Sequence, residues 1–145
     1  MFRRFRAREV ALQLLFQQDQ NHSPMPRKAL VQFAKQRTQR DPESVAFCLG
    51  LFDGVLLQRT PIDELLTATA QNWRLTRMLP ADRNVLRLGV FELLHAAKLE
   101  PIPVILNEAI ELARRYGSKD SPAFVNGILD KIAKGRPVEP AQVGA

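Results

Sequence analysis

Four arginines fall within the first eight residues, at Arg3, Arg4, Arg6 and Arg8, with no acid among them. A guanidinium is a planar fork of donors that matches two oxygens of a phosphate or carboxylate, so a cluster of this density suits a polyanion. Arg4 and Arg8 stand one helical turn apart, as do Arg3 and Arg6, and like charges at that spacing repel. Positive charge at a helix N-terminus also opposes the macrodipole, by about 0.3–1 kcal/mol per exposed charge. A locally unfavourable cluster that leads straight into an apolar helix is where function is expected. The plainer alternative is a solvated basic end that aids solubility. A second group lies at Lys119-Asp120-Ser121-Pro122-Ala123-Phe124-Val125-Asn126-Gly127. Phe124 has a face for stacking, and Asn126 has donors and an acceptor suited to a base edge. Taken alone, these two residues are better explained by packing and a backbone hydrogen bond.

Other chemistry finds little footing. His22 and His95 have no partner at metal-ligand spacing, so no metal site is expected. No Gly-rich phosphate loop, nucleophile elbow or zinc-binding cysteine set occurs. Glu108 and Glu111 form a carboxylate pair on which nothing else converges, and Glu111 is expected to pair with Arg115 one turn on. The chain is therefore expected to bind and not to catalyse, and to need no cofactor. Cys48, the single cysteine, excludes an internal disulfide, fits a reducing cytoplasm and is expected to be a buried small hydrophobe.

At 145 residues the chain suits one domain over 1–135 with a loose tail over 136–145, where Pro and Gly accumulate. Its net charge is +6, and four of those units lie in residues 1–8. No apolar run approaches membrane-spanning length, and no secretory cleavage site follows the first arginines.

These residues must be held by helices. The 3.6-residue period and the Pro, Gly and capping signals predict helices over Arg3–Gln20, Arg27–Thr38, Glu43–Arg59, Thr60–Gln71, Pro80–Ala97, Pro103–Tyr116 and from Pro122 onward. The class is all-α, a compact bundle of about seven helices with short connections. Pro80 to Ala97 is apolar over most of its circumference and is expected at the centre, with Gly89 allowing another helix to approach closely. Ala29, Leu30, Phe33, Ala34 and Ala46 are expected to face the core. Thr60 is expected to cap the fourth helix ahead of Pro61. Trp73 is expected to anchor the joint between that helix and the central one, with a stacking surface as the alternative.

Four blocks together resemble the NusB family of bacterial antitermination and ribosomal RNA biogenesis factors. They are Arg6-Ala7-Arg8-Glu9 running into Ala11–Phe16, Asp82–Leu93, Ile102-Pro103 ahead of Asn107–Ala113, and Phe124–Lys131. In family order they span about residues 3–133. The resemblance implies a helical fold of two small sub-bundles meeting near 73–80. It implies binding of the single-stranded boxA RNA element, jointly with NusE, a small-subunit ribosomal protein, beside other Nus factors and RNA polymerase during ribosomal RNA transcription. It places Arg3, Arg4, Arg6, Arg8, Phe124 and Asn126 at the RNA, and Phe16 and Asp82 at the NusE contact. Phe16 and Phe91 stand where the family usually has Tyr, and Pro122-Ala123 where it often has polar or basic residues. Two alternatives are a helical protein–protein module that binds no RNA and a NusB-like accessory domain of an RNA methyltransferase.

Overall fold

A computed structural model describes residues 3–71 and 73–135. The tail expected over 136–145 lies outside the described residues. Among the described residues there are seven α-helices: α1 (Arg4–Asp19), α2 (Arg27–Arg37), α3 (Pro42–Leu57), α4 (Arg59–Thr69), α5 (Pro80–Leu94), α6 (Ile102–Tyr116) and α7 (Ser121–Lys134). A short 3₁₀ turn, Leu75–Arg77, precedes α5, and the described residues contain no strand. The first three helices pack on one another, α4, α6 and α7 gather around α5, and α5 also packs against α1 and α3. This is the expected all-helical bundle of two sub-bundles, with α5 joining them.

Local chemistry accounts for several boundaries. Asp41 caps α3 by accepting from the Ser44 amide at 2.9 Å, with Pro42 in the first turn, where its missing N–H is no loss. Nothing comparable caps α1, whose first turn holds no acid. Its stability must come from packing, and Val10, Ala11, Leu14 and Leu15 are buried. Every residue from Asn84 to Leu93 is buried, as a helix enclosed on all sides requires. A Cβ at Gly89 would come within 2.6 Å of a Leu129 methyl, so the close approach expected there is that of α7. A Cβ at Gly54 would come closer still to the Phe91 ring, at 2.2 Å. Gly117 ends α6 at φ −97°, outside the left-handed region, and it leaves room for the buried Ser121 side chain.

Some expectations fail. The chain bends by 72° between α3 and α4, and α4 begins at Arg59 without a side-chain cap, so Thr60 lies inside the helix. Ala29 and Ala46 are exposed, because α2 and α3 bury narrower stripes than their apolar residues suggest. Cys48 is fully buried, and burial pushes its thiol up to about 12, as expected of an inert core residue. Among the described residues, no single helix is long and apolar enough to cross a membrane.

Candidate nucleic-acid interface

The leading arginines have three different fates. Arg8 is fully buried. Its Nε donates to both oxygens of Glu92 at 3.0 and 2.9 Å, and Nη2 reaches Glu92 Oε1 at 2.7 Å. Nη1 donates to Glu108 at 3.0 Å, Nη2 also donates to Glu100, and the Phe47 ring lies 5.2 Å from the guanidinium carbon. One cation cannot neutralise three carboxylates. Burial, with Glu100 and Glu108 nearby, therefore pushes Glu92 upward despite Arg8. Arg8, expected at the RNA, is instead an internal ion-pair residue. It falls on the same α1 face as Leu12 and Leu15, and that face docks on α5.

Arg4 pairs with Glu100 at the rim of this cluster and keeps half of its side chain exposed. Arg3 is exposed, and Arg6 reaches sideways. Arg6 Nε donates to the Arg37 carbonyl at 3.0 Å, and its Nη1 donates to Glu9 at 2.6 Å. Glu9 also accepts from Tyr116 Oη at 2.8 Å and from Arg115 at 3.3 Å. Burial raises the Glu9 carboxyl, but the hydrogen bonds from Arg6, Tyr116 and Arg115 outweigh it and hold the group below the usual carboxylate range.

Around Glu9 opens a cavity of about 420 Å³ that brings Arg3 and Arg6 together with Arg37 and Arg115. Two of these guanidiniums lie over aromatic rings, Arg37 at 3.6 Å from the Phe33 centroid and Arg115 at 4.7 Å from Phe5. A guanidinium over a ring face gains cation–π attraction, and Arg115 also donates to Glu9 and Glu111. Gln39 lines the cavity at φ 55°, followed by Arg40 at φ 61°. Two consecutive non-glycine residues in the left-handed region store about 1–3 kcal/mol each, strain of the kind that clusters at functional sites. Arg37 and Arg115 are not among the residues that sequence reasoning selects. For Arg115 the helical period signals only the pair with Glu111, which forms at 3.3 Å.

Phe124 is half-buried at the start of α7, and Asn126 is exposed. The Phe124 ring meets Trp73, centroids 5.6 Å apart and planes at 70°. Trp73 is 58% exposed, so it is not the packed anchor expected at this joint.

The expected partner residues also divide. Phe16 is 42% exposed and lines an apolar groove of about 550 Å³ with Leu12, Phe33, Ala81 and Tyr116 among its walls. Asp82 is buried, and its Oδ1 has no hydrogen-bond partner among the described residues. Its side chain is turned inward from a first turn that is otherwise only part-buried, so it is not presented to a partner as it stands.

A second ionic cluster sits at the far end of α1. Asp19 accepts from Arg83 at 2.7 Å, Asn84 at 3.1 Å and Arg87 at 3.3 Å, and Arg87 also holds Asp63. Burial raises the Asp19 carboxyl, but Arg83, Asn84 and Arg87 more than offset this and hold it low.

Fold and surface together describe an all-helical bundle with a basic cavity, an aromatic corner and an apolar groove. The model of the NusB family matches residues 5–134. A transcription antitermination protein NusB of Anaeromyxobacter dehalogenans (strain 2CP-1) is 49% identical over 142 residues, 98% of this chain and 96% of that protein. Its counterpart in Sorangium cellulosum (strain So ce56) is 46% identical, over 88% of this chain and 89% of its own. The solved NusB of T. maritima superimposes with a TM-score of 0.82 at 35% identity, covering 94% and 96% of the two chains. A chain from a crystal structure of antitermination factors NusB and NusE in complex with double-stranded RNA shares the fold, with a TM-score of 0.79 at 23% identity over 91% and 96%. The chain belongs to the NusB family.

Proposed function

We propose that this chain is a transcription antitermination factor that binds boxA-type single-stranded RNA jointly with NusE. It would act in the cytoplasm, beside the other Nus factors and RNA polymerase, while ribosomal RNA is transcribed. The observation that carries this reading is the cavity in which four arginines surround a single acid, Glu9. Net positive charge confined to a strained, aromatic-backed hollow suits backbone phosphates, which supply affinity but little sequence information. Phe124 and Asn126 offer the stacking and amide groups that select unstacked bases. The Phe16 groove gives a protein partner an apolar surface beside the RNA groups, with Arg37 lining both the groove and the basic cavity. Family membership, and the antitermination names of relatives matched over nearly the whole chain, support the same reading.

The test is fluorescence anisotropy of labelled boxA-type RNA, with and without NusE, against a scrambled strand. Preferential binding that NusE strengthens is expected. Arg6→Ala or Arg37→Ala should weaken both strands alike and flatten the log K against log salt slope by about 0.7 for each phosphate no longer held. Equal, weak binding of both strands with and without NusE would refute the proposal. NusE binding without any RNA binding would leave a protein–protein module.

A further inference from the structure

Trp73 has no role in the function proposed above, and its placement is costly if it does nothing. It is the only tryptophan of the chain, and more than half of its surface faces water. A ring that size ordinarily contributes to stability by being covered.

The backbone around it is nonetheless well held. The Trp73 amide donates to Ala70 O at 2.7 Å, and the Arg77 amide donates to Arg74 O at 2.9 Å. Arg83 donates to Leu75 O at 3.2 Å while its guanidinium binds Asp19, which ties this connector to α1 and α5. The exposed indole therefore stands on a fixed base and does not hang from a slack loop. Its neighbour is a second aromatic ring set nearly perpendicular, and Asn126 is exposed two residues beyond Phe124. Arg74 and Arg77 are exposed, on the same connector.

We propose that Trp73 and Phe124 form one two-ring platform on which an unstacked RNA base lies, with Arg74 and Arg77 neutralising the adjoining phosphates. The proposal rests on the RNA-binding reading and extends its site to residues 73–77, across the α4–α5 connection. Two rings at a steep angle make a corner that holds one splayed base. A duplex, whose bases already stack on each other, cannot enter it except at an open end. Single-stranded RNA is thus the occupant.

Because Trp73 is the sole tryptophan, its emission reports on this corner directly. The full chain is titrated with a labelled single-stranded boxA-type RNA, oligo(U) of equal length and a hairpin duplex. Anisotropy of the label and quenching of the indole are read in parallel. Single strands are expected to quench Trp73 with the midpoint seen by anisotropy, and the duplex to leave its emission unchanged. Trp73→Ala should weaken single-strand binding about tenfold, equivalent to about 1.4 kcal/mol of lost stacking, and should not alter the salt slope. Trp73→Phe should keep most of the affinity, which separates stacking from a folding defect. Arg74→Ala with Arg77→Ala should flatten the slope instead.

If the strands bind by anisotropy while indole emission stays unmoved and Trp73→Ala binds like wild type, the platform is refuted and the RNA-binding reading survives. If no strand binds by either readout, both fall. A proline-rich peptide that quenches Trp73 where RNA does not would likewise overturn the proposal in favour of a protein ligand.

Discussion

Replacing Arg8 with alanine separates an internal ion-pair role from an RNA-contacting one. The substitution leaves Glu92, buried and already pushed upward, with no counter-ion, and strips Glu100 and Glu108 of a shared donor. Breaking a buried pair by removing one partner costs about 3–5 kcal/mol. For a chain of 145 residues the unfolding entropy is roughly 0.3 kcal/mol per degree, so the midpoint should fall by roughly 10–16 °C. Buried charges are screened poorly, so the destabilisation should persist in about 0.5 M salt. Glu92→Gln should cost less, because Arg8 then keeps Glu100 and Glu108. Thermal unfolding by circular dichroism gives the stabilities, and anisotropy at a temperature where the variant is folded gives RNA affinity. Arg8→Ala should be unstable yet bind RNA much as wild type does, while Arg6→Ala, whose side chain is half-exposed, should lose less stability and bind weakly. A variant at Arg8 that melts within about 2 °C of wild type and binds RNA poorly would refute the argument.

Asp19 and Glu9 are held below their ordinary values, so the stability they confer is present above about pH 4 and is lost as pH falls through their lower folded values. Asp19→Asn should therefore cost about 3 kcal/mol at neutral pH and progressively less in acid, read from denaturant midpoints between pH 7 and 2. Glu92 acts in the opposite sense: its raised value gives stability that is full below the unfolded pKa and is lost as pH climbs through the folded one. Gly89→Ala should destabilise by about 1–3 kcal/mol because the new methyl meets Leu129, whereas Gly50→Ala, with open space around it, should stabilise by up to about 1 kcal/mol; both are read from denaturant midpoints. Cys48 should react with a thiol reagent only at the rate at which the protein opens, since it is buried and its thiolate is suppressed.

The helical architecture is legible in the sequence because period and punctuation agree: Pro42, Pro80, Pro103 and Pro122 each sit in a first turn, and the enclosed α5 is apolar over most of its circumference. The arginine cluster is legible as a cluster but not in its division of labour. Arg8 shares the inward stripe of Leu12 and Leu15, and Glu92 lies in a helix with no exposed side over its last turns. A buried acid and a buried base are each marked by periodicity. That they pair is not, since 84 residues separate them. Arg37 and Arg115 join the cavity only through tertiary packing, and no local spacing signals it. Trp73 defeats the expectation of a packed anchor because a large apolar residue at a joint is ordinarily covered, and exposure is a property of the neighbours.

The Arg8 cluster also has a timetable. Its carboxylates lie 84, 92 and 100 residues further along the chain. At about 5–20 residues per second of synthesis, the arginine waits roughly 4–17 seconds before the first of its three partners has been made. Throughout that interval α1 can settle on α3 but cannot dry out against α5, so the Arg8 side of the first helix to emerge from the ribosome is among the last surfaces to be sealed. Substitutions at Arg8 should accordingly speed unfolding far more than they slow folding.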